Sequence, residues 1–229
     1  KDAVIKLKNM RADFKTRCEA KAKAEKDGKC GLNEAVIALL GAGKDAMGGT
    51  TADYFLRLFV QSERIYQDMT LALQMDSFKS SWAIREWTDI DIGMEFRGFV
   101  FKRQFCALCQ YDYLVRIDRL AEAKSREAIV ARIREFYEKK VAKALHTDAK
   151  MFQSYVADFA IDTTGKCWLI ELNPFQESTD GAMFSWNREG EKLRSLPFEF
   201  RYQVISTTLT TLNFYLFSKQ VFFFAFGSS

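Results

Sequence analysis

A chain of 229 residues, 48% apolar and 28% charged, fits one globular domain, or one domain built of two lobes. Its single His excludes a His-based triad or a multi-His metal centre, and a net charge of +4 does not by itself point to nucleic acid. Five Cys, an odd number with no charged-then-apolar leader ahead of them, favour free thiols in a reducing, cytoplasmic setting.

Residues 1–30 carry ten Lys or Arg against five Asp or Glu and read as a helix with a solvated face. A basic arm for phosphate or nucleic acid is the sharper alternative. Next, "LLGAGKDAMGGTTADYF" looks like a phosphate loop but fails the pattern. Ala38 stands where the first Gly of a Walker A loop belongs, and Asp45 follows Lys44 where Ser or Thr is needed. It reads instead as a flexible connector into a helix capped by Thr50 or Thr51. That helix is expected from Ala52 to about Met75. Phe55, Leu58, Phe59, Ser62, Ile65, Tyr66 and Met69 give it the i, i+3, i+4 spacing of a buried stripe.

Residues 81–115, rich in Phe, Trp, Val and Tyr and alternating in polarity, predict strands. Cys106 and Cys109 form a CxxC there. On a strand those positions point to opposite faces, so buried free thiols are expected rather than zinc ligation. Residues 121–145 predict an amphipathic helix with Ile129, Ile133, Phe136 and Val141 inward, and His146 near its end as a surface or capping residue. "VADFAIDTTGKCWLIELNPF", residues 156–175, predicts a hairpin turning at Thr163, Thr164 and Gly165. The Phe-rich tail is broken by Ser218, Lys219 and Gln220. Neither half reaches the roughly 20 apolar residues of a membrane span, so it reads as a strand or packing tail and no transmembrane segment is expected.

The hairpin carries the chemistry. Asp158 and Glu171, 13 residues apart around the turn, come out nearly opposite each other, roughly 5 Å apart. Glu171 and Asn173 share a strand face. Three oxygen-bearing side chains at one end of an apolar hairpin suit a hard divalent cation such as Mg²⁺. Pairing of each carboxylate with a nearby Arg or Lys is the other reading of the same spacing. Arg97, mid-strand in "MEFRGFVF", is costly there unless paired. It either neutralises a carboxylate or grips phosphate through a charge-assisted fork. No residue stands out as a nucleophile, and no catalytic residue is assigned.

The runs "IREW…MEFRGFV…QYDYLV", "YVADFAIDTTGKCWLIELNPFQESTDGAMFSW" and "LPFEFR" resemble, in order and spacing, the cell division cycle protein 123 family, from about Thr51 to Arg201. The resemblance implies an α+β, ATP-grasp-like fold: antiparallel sheets with flanking helices, in two lobes that hold ATP between them. It implies Mg²⁺ ligands at Asp158, Glu171 and Asn173, and Arg97 near the ATP phosphates. Glu86, Trp87 and Thr88 then form the segment that meets the adenine, while Ser178, Thr179 and Asp180 shape the site without assigned contacts. It further implies a cytoplasmic assembly chaperone for translation initiation factor 2, acting through the factor's gamma subunit, with no direct nucleic-acid contact.

The family's nucleotide-binding Lys lies in a "PKLN" segment ahead of "KDA". Lys1, Lys6 and Lys8 do not occupy that position, so an incomplete N-terminal lobe is expected, with a member that binds ATP weakly or not at all as the alternative. The expected organisation is 1–50, a partial lobe with a basic helix and Gly-rich connector; 51–201, the ATP-grasp core; and 202–229, an unassigned hydrophobic tail. An ATP-dependent carboxylate–amine ligase is the alternative function, since that chemistry rests on positioning and charge neutralisation. Asp158→Ala is expected to weaken Mg-ATP binding and leave the fold intact.

Overall fold

The computed structural model of the chain describes residues 8–24, 28–74, 85–147 and 152–207. Two compact units divide the chain at Thr88/Asp89. Among its described residues the first holds four helices: α1 (Lys8–Ala24), α2 (Leu32–Asp45), α3 (Ala52–Gln61) and α4 (Glu63–Ala72). The basic helix α1 is not solvated all round. Met10 and Phe14 pack with Ala42, Ala46 and Leu58, and Arg17 pairs with Asp13 on its own helix and with Asp45 of α2. Gly41 lets Arg17 approach, since a Cβ there would stand 2.7 Å from Nη1 of Arg17.

Two sequence expectations change in this unit, and a third is decided between its two alternatives. The Gly-rich stretch is helical through Asp45, so the connector shrinks to residues 46–51. Thr51, not Thr50, caps α3 by accepting from the Tyr54 N–H at 3.3 Å. The long helix is two helices. Ser62 turns extended, with φ −85° and ψ 112°, and its hydroxyl accepts from the Ile65 N–H to start α4; Ser is among the strongest N-caps, so the break is favourable. Met75 lies outside the described residues. The stripe is mostly uncovered within this unit: Leu58 and Ser62 are buried, whereas Phe55, Phe59, Tyr66 and Met69 are exposed.

Among its described residues the second unit holds one five-stranded sheet, with its longest helix on one face. Its strands are β1 (Glu95–Phe101), β2 (Gln104–Gln110), β3 (Tyr155–Ile161), β4 (Cys167–Pro174) and β5 (Glu199–Arg201), in the order β4-β3-β1-β2-β5. All neighbours are antiparallel except β2 and β5, which run parallel. The strand region of the sequence therefore begins at Glu95; residues 85–94 have no strand, and 81–84 lie outside the described residues, as does the tail from 208 onward. β1 and β2 are joined by Lys102 and Arg103, both with positive φ (47° and 66°). This backbone pattern matches the strand twist in two-residue hairpins. Backbone bonds from Lys102 to the Ser154 hydroxyl and from Arg103 to the Gln153 carbonyl hold it.

After β2 come α5 (Asp118–Ala121) and α6 (Ala123–Phe136), which runs on through a π turn (Tyr137–Val141) into α7 (Ala142–Leu145). As expected, Ile129, Ile133 and Val141 are buried; they pack with Phe96, Val100, Leu108 and Phe159 of the sheet, and Phe136 sits at the margin of that core. His146 ends α7, its Nε2 3.1 Å from the Tyr155 hydroxyl, and burial lowers its pKa, with Arg103 adding to the effect. Gly98 faces this core between two rings. A Cβ there would stand 2.6 Å from Phe105 and 2.8 Å from Phe159. Gly98→Ala is expected to destabilise the unit by about 1–3 kcal/mol through overpacking, read as a lower urea midpoint.

Candidate functional site

The other face of the sheet carries the polar residues, and the strand pairing explains how. Glu171 pairs with Asp158, Asp158 with Arg97, Arg97 with Cys109, and Cys109 with Arg201. These five form one row across all five strands. Directly paired residues point to the same face, so the row is a line of neighbouring side chains. A bulge makes its outer end. Phe159 pairs with Leu169 but Asp158 with Glu171, leaving Ile170 as the extra residue of β4. In a register without the bulge Asp158 would face Ile170, and Glu171 would turn to the other side.

Arg97 and Asp158 make a two-pronged ion pair in the interior. Nε donates to Oδ1 at 2.8 Å and Nη2 to Oδ2 at 2.7 Å, with side chains 6% and 5% exposed. Nη1 of Arg97 donates to the Asp180 carbonyl at 2.6 Å, and the Tyr111 ring lies 4.9 Å from the guanidinium carbon. Of the two openings left by the sequence for Arg97, charge neutralisation is met directly. Three of its five N–H donors have the partners just named.

Glu171 stands at the solvent end, its side chain 54% exposed and Oε1 4.0 Å from Nη2 of Arg97. Asn173 donates its amide N–H to Glu171 Oε1 at 3.1 Å and to Asp158 Oδ2 at 3.5 Å. Asp158, Glu171, Asn173 and Arg97 therefore do come together. Burial pushes the Asp158 carboxyl up to about 6 against the pull of Arg97, and the Glu171 carboxylate adds to the rise. Two carboxylates and an amide facing one another, with excess negative charge at the mouth, fit a hard cation whose other positions go to phosphate and water. Asn173 would offer its carbonyl oxygen to such an ion by turning its amide over. Among the described residues no group of three or more His, Cys, Asp or Glu side chains could hold a metal, so a metal here relies on the amide and on outside ligands.

Glu86, Trp87 and Thr88 end the first unit, in a stretch without helix or strand. Glu86 and Trp87 are exposed and Thr88 is half-buried. The Trp87 ring lies against Gly48, where a Cβ would stand 3.3 Å from it. Cys106 and Cys109 are buried and free, as expected; burial pushes the Cys109 thiol up to about 12.

Sequence reasoning placed Ser178, Thr179 and Asp180 near the site but missed how their segment closes over the row. Thr179 donates to the Pro174 carbonyl at 2.7 Å, and the Trp186 indole donates to the Thr179 carbonyl at 2.6 Å. Asp180, to which no contact was assigned, holds Arg97 through its backbone. Beyond it, α8 (Trp186–Glu189) places Glu189 against Arg201, whose Nη1 and Nη2 donate to the two carboxylate oxygens at 2.9 and 2.7 Å. The only sequence signal for this clamp was the juxtaposition of "TDGAMFSW" and "LPFEFR" within the resemblance.

The Arg201 hydrogen bonds hold the Glu189 carboxyl down to about 2, from an ordinary 4.5. A depressed acid stabilises the fold above its ordinary value and loses that contribution as pH falls toward the folded value. Glu189→Gln is therefore expected to cost stability by a constant amount above about pH 5, with the gap to wild type closing below it. Urea unfolding from pH 6 to 3 reads this.

A family model, D123, matches residues 50–215. The chain is 30% identical over 155 residues to the translation initiation factor eIF2 assembly protein of Xenopus laevis, covering 65% of this chain and 44% of that protein. It is 36% identical over 110 residues to cell division cycle protein 123 of Eremothecium gossypii, covering 45% of this chain and 27% of that protein. The chain thus spans less than half the length of these relatives. The solved structure of Cdc123 from Schizosaccharomyces pombe superposes with a TM-score of 0.53 at 23% identity, over 87% of this chain and 88% of that one, and carries the ATP-grasp-like α+β fold across. No helix among the described residues is long and apolar enough to cross a membrane. With the polar row, the hairpin motifs and the matched span in agreement, the chain belongs to the D123 family, the cell division cycle protein 123 group that its sequence resembles.

Proposed function

We propose that the protein binds Mg-ATP with Asp158, Glu171 and Asn173 on the cation and Arg97 toward the phosphates. In the cytoplasm it would use this binding to assist assembly of translation initiation factor 2, through the gamma subunit. The observation that carries the reading is the row Glu171–Asp158–Arg97, with Asn173 beside it. A cation relieves a carboxylate raised by burial and, to a lesser degree, by the Glu171 carboxylate beside it, and a fixed guanidinium next to it suits the anion such a cation accompanies. A bound cation would supply positive charge for the phosphates; the chain's own part is to hold Arg97 rigid and to keep the carboxylates converged. Glu86, Trp87 and Thr88 would meet the adenine, largely through backbone. The assembly role follows the named activity of the X. laevis relative.

The test immobilises the protein and offers purified gamma subunit with Mg-ATP or with ATP and EDTA. Retention that depends on Mg-ATP supports the proposal. No retention under either condition removes the assembly role. ADP release that depends on an added amine acceptor would replace it with a carboxylate–amine ligase.

A further inference from the structure

Two arginines of one sheet row grip the two ends of a single turn. Arg97 and Arg201 flank Cys109 in the row. Between them lies the turn 180–184. Arg97 Nη1 donates to the carbonyl at its start, Asp180, and Arg201 Nη1 donates at 3.0 Å to the carbonyl near its end, Met183. The turn itself is tight. Phe184 N–H closes onto the Gly181 carbonyl at 2.9 Å, and the Asp180 carboxylate accepts from the Ala182 N–H at 3.0 Å, with Ala182 at φ +50°. A Cβ on Gly181 would collide with the Phe184 carbonyl. Arg201 is itself fixed on every side. It forks onto Glu189, donates from Nε to Glu199 at 2.7 Å, and lies 4.0 Å from the centre of the Phe184 ring.

A turn this short and this closely packed transmits displacement at one end to the other. We infer that Arg201 is a positioning residue for Arg97: by clamping Met183 and Phe184 it fixes the Asp180 carbonyl, and that carbonyl sets the guanidinium that faces the nucleotide. Its role for nucleotide rests on the function proposed above, but the coupling to Arg97 is a property of the protein alone and can be read without any ligand.

The test records arginine Nε–Hε correlations on ¹⁵N-labelled protein, with the Arg97 signal identified by its loss in Arg97→Lys. In the wild type this proton is buried and bonded to Asp158, so it should exchange slowly with water. Arg201→Lys keeps the charge but not the fork. It is expected to shift the Arg97 signal and to speed its exchange about tenfold, and to weaken Mg-ATP more than free Mg²⁺, which Glu171 still holds. Glu189→Gln removes the carboxylate charge and should move the signal the same way by less; it carries the test if Arg201→Lys does not fold.

Ile129→Val, on the helix-covered face, controls for lost stability and should leave the signal in place. An Arg97 signal unmoved in the folded Arg201 and Glu189 variants, with stability alone reduced, would make Arg201 a structural clamp and overturn the inference. A moved signal in a protein that binds no Mg-ATP would uphold the coupling and overturn the nucleotide reading instead.

Discussion

Asp158→Ala is expected to cost about 3–5 kcal/mol of stability, because it strands the buried Arg97 guanidinium without its anion. The sequence alone suggested a variant that loses Mg-ATP and keeps its fold; the two bonds from Arg97 and the 5% exposure of Asp158 correct this. Asp158→Asn should cost less, since the amide oxygen can still accept one of the two bonds. Urea unfolding of both variants reads the difference. Equal stability of wild type and Asp158→Ala would mean that the pair contributes nothing net. The large loss also limits what Asp158→Ala can say about binding, since a weakened site and a partly unfolded protein look alike in a titration.

Glu171→Gln separates the two. The side chain is 54% exposed and its Oε1 stands 4.0 Å from Nη2 of Arg97, a geometry worth little to stability. Its charge, however, is the accessible half of the proposed cation site. The variant is expected to unfold at the same urea concentration as wild type, within about 0.5 kcal/mol. Its Mg²⁺-dependent ATP affinity should fall at least about tenfold, a loss of about 1.4 kcal/mol. Calorimetry and urea unfolding on one preparation check both. A fall in stability matching the fall in affinity would make Glu171 a structural residue.

The hairpin was legible because its signals are local. Apolar runs marked β3 and β4, Thr163 to Gly165 marked the turn, and the count around it brought Glu171 close to Asp158. The bulge was not legible: nothing in "WLIEL" marks Ile170 as the residue left out of register, and that single residue decides which side Glu171 faces. α6 was legible from its 3.6-residue period, though its π turn at Tyr137–Val141 was not.

The helix break at Ser62 was hidden by its spacing, since a Ser at a stripe position fits a continuous helix as well as it caps a new one. The stripe itself misled because periodicity shows which residues share a face and not whether anything covers it. The Arg201 clamp was out of reach for a different reason. Arg97, Asp180, Glu189 and Arg201 are spread over more than a hundred residues, and only the sheet order β4-β3-β1-β2-β5 brings them together.

The most direct test of the account is a calorimetric titration of the protein with ATP, in Mg²⁺ and in EDTA, on wild type and Glu171→Gln. Wild type is expected to give binding heat that EDTA removes and that Glu171→Gln largely loses. Heat that survives EDTA unchanged, or that is the same in both proteins, would contradict a cation held between Asp158, Glu171 and Asn173.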